Sequence, residues 1–182
     1  MDSSLFSIGH GNKSIDEFID ELKSFNIAYL VDVRTTPYSK WSPHFNQTPL
    51  QNYLNSKGLR YLYMGDVLGG IPSDSTCYTA GRIDYVKMSS KETFITGLNR
   101  LIVANQKGVR LAIMCSESEP DMCHRSKLIG QELSKRNITM QHIVGVGKSI
   151  SQVDVINIIT KGNGIVNLFG EEETLMSRKT YL

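Results

Sequence analysis

Apolar runs of strand length alternate along this chain with longer segments of helical periodicity. Leu5 to Ile8 forms a short first strand closed by the turn residues Gly9, Gly11 and Asn12. Ser14-Ile15-Asp16-Glu17 has capping-box spacing, and Ile15, Phe18, Ile19, Leu22 and Phe25 recur at helical intervals, which predicts a helix ending near Asn26. Ile27 to Val33 is apolar except at Asp32, the pattern of a strand covered on both faces. Strand, helix, strand is a βαβ unit, and a right-handed crossover makes its two strands parallel.

From Arg34 to Pro49 the chain turns to Thr, Pro, Ser, Asn and Gln around Trp41 and Phe45, and reads as a long, lid-like loop. Pro49 suits the first turn of a second helix that runs through Lys57 and stops at Gly58. Leu59 to Met64 reads as a third strand, followed by the glycine-bearing loop Val67-Leu68-Gly69-Gly70-Ile71-Pro72. Residues 73 to 88 show no readable element. Ser89-Ser90-Lys91-Glu92 has the spacing to open a third helix, with Phe94, Leu98, Leu101 and Ile102 on one face and Gly108 at its end. Val109 to Cys115 is dense enough in apolar residues to be a central strand. A polar loop, Ser116 to Pro120, leads to a fourth helix from near Cys123 to about Arg136, and Met140 to Val146 is a fifth strand. Beyond Lys148 come one more helix over 151–160 and a short strand at Ile165 to Phe169. The order predicts a three-layer, Rossmann-like α/β domain over 1–147, its mostly parallel sheet flanked by helices on both faces. Residues 148–182 form a C-terminal extension packed on it, which covers a sheet edge or makes a small subdomain.

Composition narrows the class. With 182 residues, 40% apolar and 21% charged, the chain suits one domain with a sizeable core. A net charge of +2 gives no global field to attract nucleic acid or an anionic membrane, so any anion site must be local. Three cysteines, an odd number, argue against a disulfide framework and fit a reducing compartment, so a cytoplasmic location is expected. The first residues carry no basic region of a signal peptide, and the longest apolar runs fall far short of a spanning helix, so no membrane partner is expected.

Ligands of open parallel sheets bind beyond the carboxyl ends of the strands. That rule gathers His10 after the first strand, Arg34 after the second, Gly69 and Gly70 after the third, Cys115 and Glu117 after the fourth, and Cys123, His124 and Arg125 at the start of the next helix. Arg34 and Arg125 offer planar forks for carboxylate or phosphate, with pairing to Asp32, Glu117 or Asp121 as the structural alternative. Gly69 and Gly70 permit positive φ or close approach to a ligand, and equally a plain tight turn. Cys123 in a first helical turn beside Arg125 has the surroundings of a reactive thiol, whereas an inert core cysteine is the commoner case and more so for Cys115 and Cys77. His10 and His124 serve as acid/base candidates, or simply satisfy a loop carbonyl. Cys115, Cys123 and His124 lack the short paired spacings of zinc sites, and adjacent residues rarely share an ion, so no metal is expected. The order of Val31-Asp32-Val33-Arg34, Cys115 and Arg125-Ser126 resembles a rhodanese, but the loop from Cys115 to Arg125 is too long and lacks glycine for a thiol-cradling loop.

Ile8-Gly9-His10, Val31-Asp32-Val33-Arg34 with Pro37 and Ser39, Leu68-Gly69-Gly70, Met114-Cys115-Ser116-Glu117 through Pro120 to Cys123-His124-Arg125, and Gln141-His142-Ile143 together resemble the domain of unknown function 488 family of bacteria and archaea. The resemblance covers residues 5 to 147 and is most specific in the segment from Cys115 to Arg125. That segment carries one extra residue if Glu117 is the matched acid, or Glu119 takes its part, and Gly11 stands where the family often has Ser. The family implies no activity.

The residues alone support two functions. One is an enzyme on a small anionic, nucleotide-like substrate, with Arg34, Gly69, Gly70 and Arg125 binding and His10, Glu117, Cys123 and His124 supplying chemistry. The other is a nucleic-acid or nucleotide-binding module without turnover, using the same arginines with Tyr38, Lys40, Trp41 and Phe45, although Trp41 is expected to pack its loop onto the domain. A polar network that merely fixes the loops is the blander alternative. The sequence names no cofactor and no oligomeric state.

Overall fold

A computed structural model describes residues 4–165 and 175–181. The first unit follows the pattern closely: β1 (Leu5–Gly9), α1 (Ile15–Ser24) and β2 (Tyr29–Asp32). Ser14 caps α1 reciprocally with Glu17, the Glu17 amide donating to Ser14 Oγ at 3.2 Å and the Ser14 amide donating to the Glu17 carboxylate at 2.8 Å. Next come α2 (Gln47–Ser56), β3 (Arg60–Tyr63), the short α3 (Gly65–Leu68), β4 (Tyr78–Thr79), β5 (Arg82–Asp84), α4 (Tyr85–Ser89) and α5 (Glu92–Gln106). The chain continues through β6 (Leu111–Cys115), a π-helical turn at Arg125–Gly130, α6 (Gln131–Ser134), β7 (Gln141–Gly145), β8 (Lys148–Ser151), α7 (Gln152–Ile159) and β9 (Met176–Thr180).

Among the described residues, six strands form the main sheet in the order β3-β2-β6-β1-β7-β8. All its neighbours are parallel except β7 and β8. Period-2 alternation in the central strands sends side chains into two separate cores, which is why these strands read as continuous apolar runs. Phe6, Ile8, Leu30, Ala112 and Met114 face α1 and α2, packing on Phe18, Leu22, Leu50 and Leu54. Leu5, Val31, Leu111, Ile113 and Cys115 face the other way, onto Phe94, Leu98 and Leu101 of α5 and onto Leu128, Ile129 and Leu133. Helices therefore cover both faces, an α/β architecture of three layers. Because β6 inserts between β2 and β1, the chain leaves β1 toward one edge and returns beyond it toward the other, opening a crevice at the carboxyl ends of β1 and β6.

Several local expectations are corrected. Helix α2 begins at Gln47, two residues before Pro49, after a 3₁₀ turn at Pro43–Phe45. Ser89 and Ser90 end α4 instead of capping the next helix, and α5 starts after Lys91 without a side-chain cap. The fourth helix starts as the π-helical turn, whose wider winding buries Arg125, Ser126, Leu128, Ile129 and Gly130 together. The stretch 73–88, unreadable in sequence, supplies β4, β5 and α4. Its partner is β9, which pairs antiparallel with β5 to make a small second sheet. Strand β8 adds to the edge of the main sheet beside β7. The strand expected at Ile165–Phe169 falls, beyond Ile165, outside the described residues. Trp41 does not pack down: its side chain is 85% exposed.

Candidate functional site

Strand register decides which side chains reach the crevice. Gly9 and Cys115 are partners at the ends of β1 and β6, and Ser7 and Cys115 point to the face on which the π-helical turn packs. The chain then crosses the crevice mouth through residues 116–122 and descends at Cys123. Cys123 is extended (φ −121°, ψ 152°) and His124 is helical (φ −62°, ψ −16°). In an extended strand neighbours point apart; this change of backbone turns both side chains to one side. Cys123 Sγ lies 3.5 Å from His124 Nδ1, and Cys115 Sγ lies 3.9 Å from the same nitrogen. The three donor atoms fall within 4.8 Å of one another, all on buried residues. Among the described residues His124 Nε2 has no hydrogen-bond partner, so the two sulfurs are the ring's polar contacts.

Beneath the cluster sits Arg125, 1% exposed. Its Nε donates to Cys123 Sγ at 3.3 Å, one Nη to Ser7 Oγ at 3.3 Å, and the other to the Glu117 carbonyl at 2.6 Å. Ser7 in turn donates to His142 Nδ1 at 2.6 Å, His142 Nε2–H donates to Gln152 Oε1 at 2.7 Å, and Gln152 Nε2 donates to the Ser126 carbonyl at 3.0 Å. These roles follow from the donors available along the chain of contacts. They require a neutral His142, and burial lowers its pKa to about 4. The network closes on the π-helical turn it started from and fixes Arg125. Burial pushes the Cys123 thiol up, but the Cys115 S–H, Arg125 and His124 outweigh it and hold the thiol well below its ordinary range; Cys115, as donor to Cys123 and itself buried, is pushed well above.

Arg34 is committed differently. It forms a buried fork on Asp32, Nε to Oδ1 at 2.9 Å and Nη2 to Oδ2 at 2.6 Å, and Nη2 also donates to the Phe45 carbonyl at 2.7 Å. Tyr61 donates to the same carboxylate at 2.7 Å. The remaining Nη1 faces His10 Nε2 at 3.5 Å. His10 is stacked on Phe45 at 4.4 Å between ring centres and hydrogen-bonded through Nδ1 to the Gly11 carbonyl. Burial, with the Arg34 cation, lowers its pKa to about 4, so the ring is neutral. Both arginine forks are therefore engaged by protein groups.

A cleft of about 310 Å³ opens above the cysteines. Its lining brings together Arg34, Gly70, Cys115, Glu117, Cys123 and His124 from the candidate set, while His10 and Gly69 lie outside it and Arg125 lies under its floor. Neither glycine has positive φ. Close approach is what each serves, and to protein atoms: a Cβ on Gly70 would come within 2.6 Å of His124 Nδ1, and one on Gly69 within 2.6 Å of Thr35 Oγ1. Sequence reasoning missed the far wall, where β9 contributes Ser177, Arg178 and Lys179, followed by Tyr181. Arg82 Nε and the Ile83 amide hold that strand through Ser177, at 2.7 and 2.9 Å. It also missed the Ser7–His142–Gln152 chain, whose signal was available: Ser7 and His142 are polar residues inside otherwise apolar strands, and such groups need buried partners.

No helix among the described residues is long and apolar enough to cross a membrane. Neither curated proteins nor solved structures gave a match to the chain. A family model described as domain of unknown function DUF488 matches residues 14–131, a span that includes β2, β6, both cluster cysteines, His124 and Arg125. That match covers well over half of the sequence, and the chain belongs to this family.

Proposed function

We propose that the protein is an enzyme acting on a small anionic, nucleotide-like substrate in the cleft above Cys115, Cys123 and His124. One observation supports this most directly: the lining sets the exposed cations Arg178 and Lys179 against the single carboxylate Glu117, around a floor of two thiols and an imidazole, the charge of Arg34 being met by buried Asp32. A chain of net charge +2 thus concentrates positive charge where its chemically reactive groups converge. Arg178 and Lys179 are exposed and take the anion-binding part expected of Arg34 and Arg125; Arg125 positions Cys123 instead. Glu117 stands beside the floor as the proton-handling carboxylate. Calorimetric titration with inorganic phosphate and nucleoside monophosphates tests the reading. Stoichiometric binding of at least one of them, weakened about tenfold in Arg178→Gln/Lys179→Gln, is the expected result. No binding by any of them, or equal binding by the double variant, refutes it.

A second reading, a nucleic-acid-binding module without turnover, is favoured by the loop after Arg34. Trp41 and Tyr38 are 85% and 69% exposed, and Lys40 Nζ lies 5.1 Å from the Trp41 ring centre. Exposed aromatics beside a cation can stack unpaired bases. Filter binding with single-stranded and duplex nucleic acid over a salt series separates the two, since a phosphate-driven complex weakens steeply with salt and this one must also weaken in Trp41→Ala.

A further inference from the structure

We propose that Cys115 Sγ, Cys123 Sγ and His124 Nδ1 form a tetrahedral zinc site whose fourth position opens into the cleft. This rests on the same site as the proposed enzyme and names the ion at its floor. The donor set is the first ground. Two sulfurs and an imidazole nitrogen are ligands zinc prefers, and three protein ligands with one open position is the pattern of a catalytic rather than a structural zinc.

Geometry is the second ground. A tetrahedral ion with bonds of about 2.3 Å to sulfur and about 2.0 Å to nitrogen puts sulfur and nitrogen about 3.5 Å apart, and two sulfurs about 3.8 Å apart. The observed sulfur–nitrogen separations are 3.5 and 3.9 Å, with all three atoms within 4.8 Å. His124 Nδ1 faces both sulfurs, yet one ring nitrogen can donate one proton or accept one. An ion at the centre of the three satisfies all of them at once. The adjacency of Cys123 and His124, which weighs against a shared ion in sequence, is resolved by the extended-to-helical change between them.

The surroundings are the third ground. Arg125 Nε donates to Cys123 Sγ, the kind of outer hydrogen bond that fixes a ligating thiolate, and Ser7, His142 and Gln152 fix Arg125 in turn. Gly70 lies over the His124 ring beside Nδ1 and Cγ, where a Cβ at 2.6 and 2.8 Å would displace it. Cys115, Cys123 and His124 all line the cleft, so the open position faces the space in which the anion binds. With two thiolates, a divalent ion and Arg125, the centre carries a net charge of about +1, which favours an anionic oxygen or a hydroxide in that position.

The test uses the full chain, stripped with chelator under reducing conditions and titrated with Co²⁺ and, in competition with a chromophoric chelator, with Zn²⁺. The expected result is one ion per chain, with sulfur-to-cobalt charge-transfer absorption and the intense visible bands of a tetrahedral site. Cys115→Ser, Cys123→Ser and His124→Ala should each weaken Zn²⁺ binding by about 100-fold or more, and Cys77→Ser, buried elsewhere, should not. Circular dichroism identifies any variant that fails to fold; Gly70→Ala then provides a second perturbation, with about a 10-fold loss expected. Absence of Co²⁺ binding by the wild type, or a cobalt spectrum without the sulfur band, overturns the proposal. Phosphate titration of the stripped protein keeps the two readings apart. Phosphate binding without Co²⁺ binding sinks the zinc site alone, and a thiolate-bound Co²⁺ with no anion binding in stripped or loaded protein sinks the anionic-substrate reading alone.

Discussion

Ser7→Ala removes one oxygen atom from the middle of β1 and interrupts the network beneath the cluster. Ser7 is fully buried, and its Oγ both accepts from Arg125 and donates to His142 Nδ1. Without it, a buried imidazole lone pair and a buried guanidinium N–H lose their partners together. Each orphaned group costs about 1–3 kcal/mol, with the charged donor toward the upper end, while the void left by one oxygen is small. The expected loss is therefore about 2–6 kcal/mol, large against the 5–15 kcal/mol by which domains are stable. Urea unfolding at pH 7.5 measures it as a lower midpoint with an unchanged slope. Gln152→Ala breaks the same chain at its far end, so the two substitutions should be non-additive by about 0.5–3 kcal/mol in a double-mutant cycle. A loss for Ser7→Ala below about 0.5 kcal/mol, or strict additivity with Gln152→Ala, would show that Ser7, His142 and Gln152 are independent contacts and refute the reading of a single network.

Other substitutions probe the remaining contacts. His10 and His142 are neutral in the native state, with pKa values lowered from 6.5 to about 4. The unfolded chain takes up their protons first, so stability present above pH 6.5 should fall by about 3 kcal/mol per histidine as the pH drops toward 4 and level off below; a flat profile in urea unfolding between pH 7 and 4 contradicts this. Gly9→Ala places a Cβ 2.6 Å from the Ser118 carbonyl and closer still to that of Glu117, backbone that cannot swing aside, so a melting point lower by about 4–10 °C is expected, and an unchanged one refutes the close approach. Asp32→Asn strands the buried Arg34 cation and should cost about 3–5 kcal/mol, more than Tyr61→Phe, which removes one hydrogen bond to the carboxylate at about 1.5–3 kcal/mol; the reverse order in chemical denaturation would mean that Asp32 does not hold Arg34 as a charge. Trp41→Ala, at an 85% exposed side chain, should change stability by no more than about 0.5 kcal/mol, and a larger loss would show that Trp41 does pin its loop.

What could be read from sequence is what short-range physics decides. Alternation and capping fix β1, α1 and β2 because the groups that satisfy them lie within a few residues, as Ser14 and Glu17 do. Continuous burial in β6 fixes its central place in the sheet, since Leu111 to Cys115 is apolar on both faces. Stretch 73–88 was unreadable because its order comes from a distant partner: β4 and β5 are two and three residues long, too short to show a pattern of their own, and β5 is paired by β9 nearly a hundred residues on. The same limit governs the site. Sequence could place Cys115 and Glu117 at a strand end and Cys123 and His124 at the start of the next helix, but Arg178 and Lys179 reach the cleft only through that long-range pairing.

The two arginines show how composition alone misleads at such a rim. A guanidinium at the end of a parallel strand offers the same fork to a ligand and to the protein's own acceptors. Asp32, two residues before Arg34 and on the same strand, takes up that fork with two oxygens, and the carbonyls of the loop over Gly9, with Cys123 and Ser7, take up the fork of Arg125. Releasing either would leave a buried cation or its acceptors unpaired, which costs more than a weakly bound small anion returns. Buried, fully partnered arginines hold other groups in place, and the cations able to exchange water for a ligand are the exposed ones. The anion binding proposed for the cleft is therefore assigned to Arg178 and Lys179 on the far wall, while Arg125 determines where Cys123 stands.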